Sequence, residues 1–164
     1  MQNDLVSEVY NVQNPAIGAT ILWRFTCGYY AHNSKPVPFP LLFVVLPIIF
    51  REDLCAVIKS TQKGKGLSRV SEKLFKDKKN DTLYSVNNAA IELRPLTLDS
   101  FKIGVSAKLF ILDKSTALVY PLVQTKVNNI SASTKILLNA AEKLGGWCAE
   151  LSLLEVCKWL KVRF

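Results

Sequence analysis

A chain of 164 residues is long enough to bury its own apolar core, so neither a disulfide lattice nor a structural metal is needed to hold it together. Hydrophobic residues make up 49% and charged residues 21%, and the seven Gly and seven Pro gather into no linker; this globular profile excludes a disordered or low-complexity chain. The formal net charge of +8 is concentrated in one stretch and suits phosphate or an acidic protein face.

Cys27, Cys55, Cys148 and Cys157 form no C-x-x-C pair, and the lone His32 lies near only one of them. Zinc needs three or four converging ligands, so the expectation is free buried thiols in a reducing cytosol. The first fourteen residues hold Asp4 and Glu8 but no Lys or Arg, which disfavours a secretory leader.

In chain order, Asn14-Pro15 reads as a helix start: Asn caps through its side chain and Pro needs no amide partner in the first turn. Ile17, Ile21 and Phe25 recur every four residues, with Leu22 and Trp23 widening the stripe, so this helix is expected to be buried on more than one side. The polar turn from His32 to Pro36 follows. Val37 to Phe50 carries no charge, and apolarity alone fits strand or helix; Pro40 as a first helical residue and Pro47 as a kink favour helix. Fourteen residues with three prolines are too few to cross a bilayer, which takes about twenty in a helix, so the run reads as a buried element or a partner surface. Helix is expected from Arg51 to Thr61, and Gln62 to Gly66 is the clearest breaker.

Leu67, Val70 and Leu74 form the next helical stripe, and Asp81 is expected to cap a helix carrying Leu83, Val86 and Ala90 that Pro95 ends near Arg94. A third helix is expected from Thr97, with Leu98, Phe101 and Val105 inward. Two short strands, Lys108 to Leu112 and Ala117 to Tyr120, flank the turn Asp113 to Thr116. Three helices followed by a hairpin is the element order of a winged helix. Leu137, Ala141, Leu144, Cys148 and Leu151 then mark a long helix, and Ser152 to Glu155 is a capping-box pattern opening a last one. The expected fold is mainly α (α+β): an N-terminal helical region over 1–62, a winged-helix-like module over 63–124, and C-terminal helices over 125–164 that pack back on the core.

Lys59, Lys63, Lys65, Arg69, Lys73, Lys76, Lys78 and Lys79 fall within twenty-one residues against Glu72 and Asp77, a net +6. Such a block attracts DNA backbone or an acidic partner, or serves as a solvated face that keeps a greasy chain soluble. Lys102 on the third helix and Lys114 at the wing tip would extend the contact. Residues 97–106 contain no Arg, so base reading is weakly supported and protein docking is favoured. Phe39, Leu42, Phe43, Leu46, Phe50, Trp147 and Trp159 are the candidate partner interface.

Catalytic constellations are not evident. His32 has no patterned nucleophile, Glu52 and Asp53 point to different helix faces, and Gln62 to Gly66 lacks P-loop spacing. No catalytic residue, cofactor or metal site is assigned.

Asn14-Pro15-Ala16 leading into Leu22-Trp23-Arg24-Phe25, the run Pro40 to Pro47, and Lys143-Leu144-Gly145-Gly146-Trp147 ahead of Val162-Arg163 together resemble the middle component of three-component ABC systems. That group includes the Lamassu-type anti-phage defence operons with their LmuC-like small subunit. The resemblance runs in order from residue 10 to 163. It implies a cytoplasmic adaptor without catalytic residues, holding an SMC-like ABC ATPase subunit to an effector, often a nuclease, and touching double-stranded DNA through the complex, with no membrane partner. A winged-helix transcriptional regulator is the alternative reading, and a membrane-active toxin using Val37 to Phe50 a third.

Overall fold

The computed structural model describes residues 14–76 and 80–164, with side chains throughout these except at 75–84. The fold is mainly helical with a small antiparallel sheet. In order come α1 (Pro15–Asn33), β1 (Val37–Pro38), a 3-10 helix (Phe39–Val44), α2 (Val45–Ile49), α3 (Glu52–Ser60), a 3-10 turn (Lys63–Lys65), α4 (Gly66–Lys76) and α5 (Asn80–Glu92). Then follow α6 (Arg94–Ser106), β2 (Phe110–Asp113), β3 (Leu118–Pro121), α7 (Ala132–Ala149) and α8 (Leu153–Leu160).

Helix α1 starts where its residues dictate. The Asn14 side chain accepts the Ala16 amide at 2.9 Å and Pro15 occupies the first turn. It stops at Ser34, which turns left-handed and donates its amide to the Tyr30 carbonyl at 2.8 Å. Ile21, Leu22, Trp23, Phe25, Cys27 and Tyr29 are all buried, so almost the whole circumference is covered. A helix apolar all round belongs at the centre, and α1 packs against α7 along one side and α6 along another.

Both packings depend on missing side chains. A Cβ on Gly28 would strike the Glu142 carbonyl of α7, and a Cβ on Gly145 would strike the Phe25 carbonyl and the Tyr29 amide of α1. On the other side, Gly18 leaves room for Ser100 of α6. Small residues therefore set the interhelical distance on both faces.

That approach explains a correction on α6. Its buried face is Thr97, Ser100, Phe101 and Gly104, whereas Leu98 and Val105 point to solvent. A close crossing admits only small side chains opposite Gly18, so the larger residues turn outward. The helix also opens earlier than expected: Pro95 sits in its first turn instead of ending α5, and Arg94 is its first residue. Helix α5 begins at Asn80; the expected Asp81 cap and Leu83 lie outside the described side chains.

The hairpin lies two residues further on than expected at its start and one at its end. Phe110 pairs with Pro121, Ile111 with Tyr120, Leu112 with Val119 and Asp113 with Leu118. The Asp113 carboxylate accepts the Ser115 hydroxyl at 2.6 Å, the Thr116 hydroxyl at 2.8 Å and the Ser115 amide at 2.9 Å, which fixes the turn and, in that order, lowers its pKa. A strand not foreseen, β1, adds to the edge through Val37 opposite Val119, giving the order β1-β3-β2. The charge-free run from Val37 to Phe50 is otherwise helical, as its prolines suggested.

Leu67, Val70 and Leu74 of α4, Val86 of α5, Phe110 of the hairpin and Leu144 of α7 join α1 in one continuous hydrophobic cluster, drawn from the first, middle and last thirds of the chain. Helix α8 opens with the capping box read from the sequence: Ser152 Oγ accepts the Glu155 amide and Glu155 accepts the Ser152 amide at 2.8 Å. Among the described residues no helix is long and apolar enough to cross a membrane.

Candidate protein-docking surfaces

The basic stretch divides into side chains that hold the fold together and side chains that face solvent. Helix α3 ends at Ser60 with carbonyls lacking helical partners, which is the usual state of a helix C-terminus. Lys143 of α7 reaches across and donates to the carbonyls of Ile58 at 3.2 Å, Lys59 at 3.1 Å and Thr61 at 3.0 Å. Lys73 of α4 donates to the Ser60 carbonyl at 3.3 Å and the Thr61 hydroxyl at 3.0 Å. Two ammonium groups thus converge on the negative end of α3. Burial, and secondarily the nearby Lys73, pushes the Lys143 pKa down. Lys73, read from the sequence as a DNA or partner contact, is thereby engaged by the chain itself; Lys143, quoted in the sequence only as part of the resemblance, was given no role of its own.

Lys59, Lys63 and Lys65 are exposed around the same corner, and Lys114 is exposed in the hairpin turn. Among the described residues none of these four has a carboxylate within ion-pair distance. Arg69 pairs with Glu72 at 2.9 Å, and Lys102 with Asp99 at 3.3 Å, so these two carry partly compensated charge. The Lys76 side chain, Lys78 and Lys79 lie outside the described residues.

The segment from Gln62 to Gly66, expected as a breaker, is a single 3-10 turn closed by the Lys65 amide on the Gln62 carbonyl at 3.0 Å. Trp147 pins it by donating its indole N–H to the Lys63 carbonyl at 2.6 Å. Gly66 then takes φ +73°, a conformation that suits glycine, to launch α4. Lys63 and Lys65 are therefore presented from a fixed turn.

The candidate apolar interface is also split by burial. Leu42, Leu46 and Trp147 are enclosed in the chain's own core, at or below 1% exposure, and offer nothing to a partner. The 3-10 and α2 turns roll the charge-free run inward under α1, which the run's apolarity alone could not reveal. Phe39, Phe43, Phe50 and Trp159 are half-buried. Trp159 borders a small cavity of 130 Å³ shared with Gly64, Lys65 and Ser68.

Phe39 and Phe43 instead line a groove of 510 Å³ with Pro40, Ala90, Ile91 and Phe164, flanked by Arg94 and Arg163. Their rings meet edge to face at 5.4 Å, and Phe39 meets Phe101 in the same way at 5.0 Å. The Arg163 amide donates to Asn87 at 3.2 Å, which ties the end of the chain to α5. The two arginines were missed because their partners in the groove are distant in sequence.

A third surface is formed by α6 and the hairpin. Leu98, Ile103, Val105, Ile111 and Leu122 are all exposed there, beside Asp99, Lys102 and Ser106.

The remaining polar groups are put to structural use. Arg24 of α1 pairs with Glu142 of α7, and Trp23 donates to the Val123 carbonyl at 2.7 Å, holding the segment after β3 to α1. His32 faces Glu150 at 3.9 Å on the exterior. Cys27, Cys55 and Cys148 are buried, and burial pushes the thiols of Cys27 and Cys148 up to about 11 and about 12. Among the described residues no three His, Cys, Asp or Glu side chains are grouped to hold a metal ion.

Residues 2–164 match the family model described as ABC-three component (ABC-3C) system Middle Component 3. No curated protein and no solved structure matches the chain.

Proposed function

Because the chain belongs to the Middle Component 3 family of ABC-three component systems, we propose that it is a non-catalytic accessory subunit that holds an SMC-like ABC ATPase and an effector nuclease in one assembly. The Lamassu-type defence complexes are the kind of assembly meant, acting in the cytoplasm. The match over nearly the whole chain is the observation that carries the reading. Two exposed surfaces of different chemistry support it: the lysine corner and the arginine-flanked groove.

In this reading α4, α5, α6 and the hairpin are the winged-helix-like module, with α6 as the helix offered to a partner and β2–β3 as the wing. The side chains of α6 favour protein over base recognition. Its exposed face mixes Leu98, Ile103 and Val105 with an Asp99–Lys102 pair, and its Arg94 is turned toward the groove beside Phe39. Contact with DNA backbone falls to Lys59, Lys63 and Lys65, whose charge is uncompensated among the described residues.

Co-expression with any coiled-coil ATPase and effector found encoded beside it, followed by affinity purification on this chain, tests the proposal. A stable complex is expected. A well-behaved lone monomer that retains neither partner would overturn it, as would substrate turnover by the pure chain that a point substitution abolishes.

A further inference from the structure

Resting on the adaptor reading, we infer that the groove between the 3-10 helix, α5 and the start of α6 is a docking site for an acidic peptide segment of another component of the same system. The segment carries a large apolar side chain flanked by carboxylates. The groove volume of 510 Å³ is in the range of built binding pockets and takes one or two large side chains. Its floor is set in advance, since Phe39 is wedged edge-on between Phe43 and Phe101. Ile91 and Phe164 stay 57% and 53% exposed on its walls, beside the aromatic floor, and leave apolar surface for an occupant to cover.

Charge selects the occupant. Arg94 and Arg163 flank the groove, and among the described residues no acidic side chain lines it and neither arginine has a carboxylate partner. Planar guanidinium groups bind carboxylates in a two-point fork, so an acidic side chain on either side of the buried apolar one completes the site. A second copy of this chain is a poor occupant because each copy carries +8. Single-stranded nucleic acid is disfavoured too. Bases need open ring faces to stack on, and Phe39 is hemmed in by the edge-to-face contacts of two neighbouring rings.

The test uses the purified complex of this chain with its ATPase and effector. A photo-crosslinking benzoylphenylalanine replaces Ile91, and the adducts are mapped by mass spectrometry after irradiation. The expected result is a crosslink to one segment of another component in which an apolar residue is flanked by Asp or Glu. Combining Arg94→Glu with Arg163→Glu should lower that yield at least tenfold while the circular dichroism of the chain is unchanged. A complex that assembles yet crosslinks at 91 to nucleic acid, to a second copy or to nothing would refute the groove and leave the adaptor reading standing. Failure of any complex to assemble would remove both.

Discussion

Gly145 and Gly146 are neighbours on α7, yet the structure demands opposite responses to the same substitution. Exchanging a helix-interior glycine for alanine gains about 0.5–1 kcal/mol from backbone entropy and helix propensity. At Gly146 nothing opposes that gain, because the nearest atom to the new methyl is the Gly28 carbonyl oxygen at 3.7 Å, an ordinary contact. At Gly145 the methyl collides with the Phe25 carbonyl and the Tyr29 amide, which are backbone atoms in the middle of α1 and cannot rotate away. The helices must separate, loosening Phe25, Leu144 and Trp147 between them, and overpacking of this kind costs about 1–3 kcal/mol or more. With the propensity gain subtracted, Gly145→Ala should lose about 2 kcal/mol. For a chain of this length that lowers the thermal midpoint by roughly 4–8 °C, whereas Gly146→Ala should raise it by roughly 1–4 °C. Thermal unfolding of the two variants beside the parent chain is sufficient. A Gly145→Ala midpoint equal to or above that of Gly146→Ala would refute the close α1–α7 crossing.

Removing the ammonium of Lys143 by Lys143→Met should cost about 1–3 kcal/mol in urea unfolding, because three carbonyls at the end of α3 lose a charged donor. Lys63→Glu with Lys65→Glu should leave the thermal midpoint within about 1 °C, since both side chains are exposed, but should weaken complex assembly or DNA binding at low salt. Unchanged assembly and DNA binding would return the pair to a solubility role. The thiols give a pH dependence: the Cys27 and Cys148 pKa values are raised on folding, so the stability they contribute is complete below the ordinary 9.0 and lost as pH rises through about 11 and about 12. Unfolding free energy followed from pH 8 upward should fall above pH 9, and Cys148→Ala should flatten part of that fall. Alkylation of the native chain at pH 8 should reach the half-buried Cys157 first and Cys148 only on unfolding.

Local signals were legible wherever a few adjacent residues decide the outcome. The Asn14-Pro15 start, the Ser152 to Glu155 capping box and the Leu67, Val70, Leu74 stripe all appear as read, because capping and periodicity act within one or two turns. Readings that depended on what packs opposite fared differently. Leu98 and Val105 fit a helical stripe, but Gly18 of a distant helix brings α6 so close that its small residues face inward. Periodicity weighs hydrophobicity and is blind to such small-residue contacts. The same limit hid the roles of Lys73 and Lys143, which look like surface charge until the end of α3 is placed beside them. It also hid β1, a two-residue strand defined wholly by its partner. Lys63, Lys65, Phe39 and Phe43 were singled out in the sequence, and the structure leaves the lysines exposed and the phenylalanines half-buried. Arg94, Ile91 and Arg163 were not assigned to a surface, since only the fold assembles them into one groove.

The two glycine contacts on α1 have a mechanical consequence. Gly18 and Gly28 are ten residues apart, about 15 Å along the helix axis; Gly28 seats α7 backbone to backbone, and Gly18 seats α6 through the short Ser100 side chain. No long side chain separates α1 from α7 at Gly28, and only the short Ser100 side chain and the end of Leu46 lie at Gly18, which leaves little to absorb a displacement. Helix 15–33 therefore acts as a spacer of fixed length, and a protein bound at the hairpin side and another bound across α7 would be held at a distance that neither can adjust.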